Sequence, residues 1–302
     1  MGDGNVYYHY LITLAMLGGV YLTAPYFQLN DVGYCYPDGT MALSNCTFTI
    51  PKNKKIAILG QNGSGKSTLF QLLMGLIPPT HGEIIFEGSP LNYKKTTTSL
   101  LRQKVGLIFQ EADHQLFAST VEQDVMYGPI NLGWPKMKIQ QQVEEALQFT
   151  ELTPLAERPV HFLSGGQKKR ATIAGVYAMD PSVFILDEPT SSLDYYFSKQ
   201  LMKYLDLLLD DNRTFLFATH QINLVYGWAD YYIVLHDGKV IYEGNAQGLF
   251  SNNDMLQLAH IEKPWLFEVY EELVKDSGVF APPSNKAELF KLIQEKNIIK
   301  NP

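Results

Sequence analysis

Lys55-Ile-Ala-Ile-Leu59 runs without a break into Gly60-Gln61-Asn62-Gly63-Ser64-Gly65-Lys66-Ser67-Thr68, and this junction decides how the chain is read. The apolar run predicts a short buried strand, and the residues from about Lys66 to Met74 predict a helix. Between them lies G-x-x-x-x-G-K-[ST], in the strand-then-helix setting that marks a phosphate-binding loop. Its glycines let backbone N–H groups wrap a phosphate at the positive end of the helix. Lys66 neutralises the β and γ phosphates, and the Ser67 hydroxyl is a ligand for Mg²⁺. Gly60, Asn62, Gly63, Ser64, Gly65, Lys66, Ser67 and Thr68 are therefore the first candidate site. Average residue frequencies give ~0.01 chance matches in a chain of this length.

Outward from that loop the pattern is of apolar strands separated by helices. Gly82 to Phe86, Val105 to Phe109, Ser182 to Leu186 and Phe215 to Ala218 read as strands, the second of them terminating at Gln110. Tyr231 to Leu235 and Lys239 to Tyr242 read as a hairpin around Asp237-Gly238. Ile139, Val143, Ala146 and Leu147 have helical spacing within Lys138 to Thr150, and a further helix after Leu163 carries Ala171, Ile173, Ala174 and Val176. Such an order predicts an α/β fold with a largely parallel sheet covered on both faces. Beyond His260, one helical face carries Trp265, Leu266, Val269, Tyr270 and Leu273. After Pro282-Pro283 a second carries Leu289, Phe290, Leu292 and Ile293. Two helices this short cannot build a core alone, so they are expected to pack on the main domain or on a second subunit.

Composition narrows the classes. With 46% apolar and 18% charged residues among 302, the chain can bury a sizeable core, but it is too short for a complete multi-span transporter. Its 24 basic against 31 acidic residues leave a net charge of −7, which argues against a nucleic-acid partner held by the overall field. Cys35 and Cys46 form no C-x-x-C, so they read as small core hydrophobes in a reducing compartment. Val6 to Phe27 lacks Asp, Glu, Lys and Arg, yet tyrosines and glycines dilute it, and the one early charge is Asp3. It meets neither the spanning-helix nor the signal-peptide criterion, so residues 1–25 read as an apolar appendage.

Two further motifs carry chemistry. Val183-Phe-Ile-Leu-Asp187-Glu188-Pro189 is an apolar strand ending in two carboxylates. Asp187 is placed to hold Mg²⁺ through water, and Glu188 to polarise an attacking water. Leu163-Ser164-Gly165-Gly166-Gln167 precedes a helix that opens with Lys168, Lys169 and Arg170. A serine cap with bare glycine N–H groups at a helix start is a second anion site. One nucleotide does not need two cradles in one subunit, so the second is expected to close on a nucleotide held by another copy.

With these motifs in this order, the chain from about Tyr26 to Leu249 resembles the nucleotide-binding subunit of an ABC transporter. The resemblance implies a P-loop NTPase of the ABC-ATPase fold: a mainly parallel sheet core, an antiparallel β subdomain, a helical subdomain over about 111–180 and a C-terminal helical extension. The implied division is an appendage at 1–25, an ATP-binding domain at 26–250 and the extension at 251–302. It makes Tyr36 the aromatic that stacks on adenine, and Gln110 the glutamine that senses Mg²⁺ and links to the membrane partner. Ser191-Ser192-Leu193-Asp194 becomes the loop that crosses the dimer interface, and His220 the switch histidine on the γ-phosphate. Tyr195 departs from the proline often found after that aspartate. ATP and Mg²⁺ are the implied ligands, with Ser67, Gln110 and Asp187 at the metal and Glu188 with His220 as the catalytic pair.

Phe109-Gln-Glu-Ala-Asp-His-Gln-Leu-Phe117, with Thr120-Val-Glu122, Asp124-Val125 and Tyr127-Gly-Pro129, resembles the energy-coupling-factor subgroup, especially its cobalt and nickel importers. That implies a homodimer or a heterodimer with a related ATPase, a membrane coupling subunit, a substrate-binding membrane subunit, no nucleic acid, and a peripheral place on the cytoplasmic face of the cell membrane. A shared ATPase of a vitamin importer is the neighbouring alternative. A non-transport ABC ATPase is the alternative from another class, but the roughly hundred residues between Lys66 and Ser164 are too few for a coiled coil plus the helical insert.

Overall fold

A computed structural model describes residues 24–93, 95–191, 193–209, 213–274 and 281–300. The appendage expected at 1–25 falls on residues 1–23, and Ser192 at one position, outside the described residues. In the smaller of two sheets, β1 (Phe27–Cys35), β2 (Met41–Ile50), β4 (His81–Phe86) and β5 (Ser89–Pro90) are antiparallel in the order β2-β1-β4-β5. In the larger, β3 (Lys55–Leu59), β6 (Val105–Ile108), β7 (Val183–Asp187), β8 (Thr214–Ala218) and β9 (Tyr231–His236) run parallel. β10 (Lys239–Gly244) closes one edge antiparallel, giving the order β10-β9-β3-β8-β7-β6.

The helices follow in chain order: α1 (Lys66–Leu73), α2 (Lys95–Lys104), α3 (Val121–Asn131), α4 (Lys136–Phe149), α5 (Gly165–Tyr177) and α6 (Tyr195–Leu209). After them come α7 (Ile222–Val225), α8 (Ala246–Phe250), α9 (Asn253–Ala259), α10 (Trp265–Val274) and α11 (Lys286–Lys300). Among the described residues no helix is long and apolar enough to cross a membrane.

The parallel strands read as apolar runs because both faces are covered, and their alternation sorts residues between two cores. Ala57, Leu59, Phe184, Leu186, Phe215 and Phe217 face one core, while Ile56, Ile58, Val183, Ile185, Leu216 and Ala218 face the other, which the smaller sheet and α1 complete. Residues of α3, α4 and α5 make a third apolar cluster, from Val121 to Ala178. The parallel registers Ile58↔Ala218, Asp187↔Ala218 and Ile108↔Leu186 bring the carboxyl ends of β3, β6, β7 and β8 to one edge. Ligands of open α/β sheets bind at that edge.

The C-terminal helices share the first core: Leu266, Phe267, Tyr270, Leu289 and Leu292 are buried in it. The apolar faces differ from those expected. Trp265 and Val269 point outward and Phe267 is wholly buried in their place, because the face that meets the body is set by Phe250 and Tyr226 against Phe267. Trp265, at the first position of α10, lies under the Lys286 ammonium, and Phe290 is exposed. Cys46 is buried with its thiol donating to the Gly238 carbonyl, and Cys35 is half-buried; both are free.

Candidate active site

The loop after β3 is a tight cradle, and its glycines are there for steric reasons. A Cβ at Gly60 (φ 149°) would lie 2.3 Å from the Leu235 carbonyl oxygen, and one at Gly65 (φ 103°) 2.6 Å from that of Ala42. Lys66 Nζ donates to the carbonyls of Gly60 (2.7 Å) and Gln61 (2.9 Å), so the ammonium spans the mouth of the loop. Burial pushes that ammonium below the ordinary lysine value, while Glu188 and Asp187 pull it back up. Asn62 and Gly63 are exposed at the rim. Ser64 Oγ is buried without a hydrogen-bond partner.

Across the sheet edge, Ser67 Oγ donates to Asp187 Oδ2 at 2.8 Å. Burial raises the Asp187 carboxyl above its usual value, against the lowering effect of the Ser67 bond and the Lys66 charge. Among the described residues no cluster of three or more His, Cys, Asp or Glu could hold a metal. A hydroxyl beside a carboxylate is instead the donor set Mg²⁺ uses when phosphate and water supply its other oxygens, so the pair fits that ion.

Glu188 sits with φ 44° in the left-handed region, a strained backbone for a glutamate. Its N–H donates to the Ala218 carbonyl (3.0 Å), which fixes the turn against β8. Glu188 Oε1 is 2.9 Å from His220 Nδ1, while Oε2 is buried and has no partner. Oε2 is thus a buried acceptor that no donor among the described residues meets. Tyr36 leaves the end of β1, and its hydroxyl is 2.9 Å from Thr68 Oγ1; Tyr34 packs edge-on against it at 5.0 Å. The structure thus brings together Tyr36, the loop from Gly60 to Thr68, Asp187, Glu188 and His220.

It does not bring the remaining candidates into that group. Gln110 stands just beyond β6 with its side chain exposed, and no hydrogen bond joins it to Ser67 or Asp187. Asp194 spends its carboxylate as the cap of α6, accepting from the Phe197 N–H at 2.9 Å. Ser164 and Gln167 form a reciprocal capping box at the start of α5. A Cβ at Gly165 would meet nothing, and one at Gly166 only Leu193 at 3.8 Å, so nothing within the chain requires glycine at either position.

The three cations that open α5 are engaged by groups of the chain itself. Lys168 Nζ pairs with Asp113 at 2.6 Å, and Arg170 donates to the Thr150 carbonyl at 3.0 Å. Lys169, wholly buried, donates to the carbonyls of Phe109 (2.7 Å) and Gln110 (2.9 Å). Burial pushes the Lys169 ammonium down to about 8, against the opposing pull of Asp187 and Glu188. The Lys-Lys-Arg run was visible in the sequence, but no local pattern says which acceptors such residues will find. Asp124 and Gln115 stood in the sequence only as part of the subgroup resemblance; in the structure Asp124 accepts from the N–H groups of Phe117 and Ala118 (2.9 Å each), and Gln115 donates to the Leu107 carbonyl at 3.1 Å.

A phosphate loop, a strand-end acid pair and a second glycine-rich helix start on one parallel sheet define an ATPase of the ATP-binding-cassette class. The ABC transporter family profile matches residues 43–191. The chain is 40% identical over 252 residues to the energy-coupling factor transporter ATP-binding protein EcfA of Methanocaldococcus jannaschii, covering 83% of this chain and 90% of that one. It is 40% identical over 276 residues to the energy-coupling factor transporter ATP-binding protein EcfA2 of Methanospirillum hungatei, covering 90% and 69%. To a putative ABC transporter ATP-binding protein of Methanosarcina mazei it is 44% identical over 259 residues, but there it spans only 57% of the relative's length. Among solved structures, cbiO1 of Clostridium perfringens, part of the ABC transporter complex cbiONQ, matches with a TM-score of 0.69 at 39% identity over 77% of this chain and 93% of that one. A dimeric ATP-binding cassette in a post-hydrolysis state with ADP and Pi matches at 0.67 and 29% identity, over 72% and 98%. The chain belongs to the ABC transporter family, among its ATP-hydrolysing subunits related to the energy-coupling-factor ATPases.

Proposed function

We propose that this chain is the ATP-binding subunit of an energy-coupling-factor importer, dimerising on Mg-ATP and driving uptake of cobalt or nickel ion. The observation that carries dimerisation is the pair Gly165 and Gly166. Glycine at the start of a helix costs stability relative to alanine, and no neighbour in the chain demands it. A close approach by a molecule from outside accounts for both glycines. The solute class rests on the resemblance of the Phe109 to Phe117 segment to the cobalt and nickel subgroup, and the metal is cargo of the membrane subunits.

In this reading, Gly60 to Thr68 of one subunit and Ser164 to Gln167 of the other enclose each ATP, with Tyr36 against the base. Ser67 and Asp187, with Gln110, would hold Mg²⁺, which would supply neutralisation of the phosphate charge. Glu188 accepts the proton of the attacking water as its oxygen bonds to the γ-phosphorus and the bond to the β-phosphate oxygen breaks, releasing ADP. His220, anchored to Glu188 Oε1, orients the γ-phosphate. Asp194, exposed as the cap of α6, lies where the two subunits meet. Residues 26–250 form the ATP-binding domain, with 111–180 as its helical part, and 251–302 its extension.

Phe117 and Tyr127, exposed and packed edge-on at 4.6 Å with Leu116 beside them, offer the apolar seat for a helix of the membrane subunit. In this reading the chain works at the cytoplasmic face of the membrane, held there by the integral subunits. Purification of the chain from membranes, with identification of the integral subunits bound to it and uptake assays using radioactive cobalt and nickel, tests the reading. Uptake of a vitamin in place of either metal, by the same complex, replaces the solute assignment.

A further inference from the structure

The lysines that follow Gln167 have no part in the reading above, and they join two parts of the molecule that it treats separately. β6 ends at Ile108, so the carbonyls of Phe109 and Gln110 leave the ladder without a strand partner. Lys169 Nζ supplies both, at 2.7 and 2.9 Å, from a side chain with no exposed surface. Lys168, the preceding residue, reaches Asp113 on the same loop at 2.6 Å from the partly exposed side. The Gln110 loop is therefore gripped at its start and three residues further on, by one helix.

That helix begins with Gly165 and Gly166, and Lys169 lies four residues from Gly165, about one turn along the axis. A buried ion pair or ammonium contributes little net stability compared with an apolar residue of similar size. A methionine would fill the space, but it would leave two carbonyls unpaired and would not fix the direction of the Gln110 backbone.

We propose that Lys169 is a positioning residue, which with the Lys168–Asp113 pair makes the Ser164–Gln167 helix start and the Gln110 loop move as one body. The proposal rests on the function argued above, in which the first element meets the partner's ATP and the second meets the membrane subunit. Displacement of the glycine end on closure is then delivered to Gln110 through the ammonium, one helical turn away.

The test uses the full chain carrying Glu188→Gln, with and without Lys169→Met, and reads sedimentation together with amide hydrogen exchange on adding Mg-ATP. In the parent, exchange should slow at residues 164–168 and, by about tenfold, at 109–116, within the range of coupling between sites. In Lys169→Met the dimer and the 164–168 response should persist while the 109–116 response falls below about twofold. A merely structural role would weaken both responses together. Lys168→Met with Asp113→Asn, both at the accessible edge, gives a second variant in which the 109–116 response should fall by about half. An undiminished 109–116 response in either variant overturns the clamp. A parent with no ATP-dependent dimer and no response at 164–168 overturns the underlying function instead.

Discussion

The loop from Gly60 to Thr68 and the helix start from Ser164 to Gln167 are both glycine-rich and both proposed to meet phosphate, but their glycines stand in opposite surroundings. At Gly60 and Gly65 the chain's own carbonyls leave no room for a side chain. At Gly165 and Gly166 the space is open. The first cradle is finished within the fold, down to the Lys66 bonds across its mouth and the Ser67–Asp187 pair. The second meets its polar needs internally through the Ser164–Gln167 box and leaves its glycine face open. Glycine content alone does not separate a site that holds from a site that is to be met; the surroundings of the missing Cβ do.

Breaking the finished cradle should have the largest effect. Glu188→Gln keeps shape but removes the proposed base, so phosphate release should fall by ~10² or more. ATP-dependent dimers should accumulate in sedimentation; near-normal turnover would remove Glu188 from the base role. Lys66→Ala should abolish nucleotide binding in a fluorescence titration. Phe267→Ala, in the core shared by sheet and C-terminal helix, should cost about 3–5 kcal/mol in denaturant unfolding. A cost near zero would mean that α10 is not held as described.

Sharpening the comparison takes smaller changes. Gly60→Ala should destabilise the subunit, because its Cβ would strike the Leu235 carbonyl. Gly165→Ala should leave the isolated subunit as stable or up to about 1 kcal/mol more stable, while lowering ATP turnover. Equal destabilisation of the two variants would erase the distinction. Phe117→Asp should lower recovery of the membrane subunits in co-purification and leave basal hydrolysis in place. Full recovery would move their seat elsewhere.

The finished cradle was legible in the sequence because its chemistry is local: β3, the loop and α1 are contiguous, and Asp187 and Glu188 follow an apolar strand. The parallel sheet was legible for the same reason, from runs such as Val183 to Leu186. What sequence could not show were decisions made by distant acceptors. Lys168, Lys169 and Arg170 stood in the sequence only as the opening of a helix, and the structure shows them serving Asp113 and the carbonyls at 109, 110 and 150. Helical spacing placed Trp265 on the buried face of α10, yet contacts from Tyr226 and Phe250 select Phe267. Periodicity gives the faces of a helix, and only its neighbours choose between them.

The central claim is that the Ser164–Gln167 cradle serves a nucleotide held by another subunit. Two inactive chains test it directly: Lys66→Ala, which lacks the first cradle, and Ser164→Arg, which blocks the second, both carrying Glu188→Gln. Neither alone should form dimers with Mg-ATP. Mixed, they leave one intact site, made of the Ser164→Arg chain's phosphate loop and the Lys66→Ala chain's helix start, and sedimentation should show ATP-dependent dimers. A mixture that stays monomeric under conditions where the Glu188→Gln parent dimerises would contradict the account.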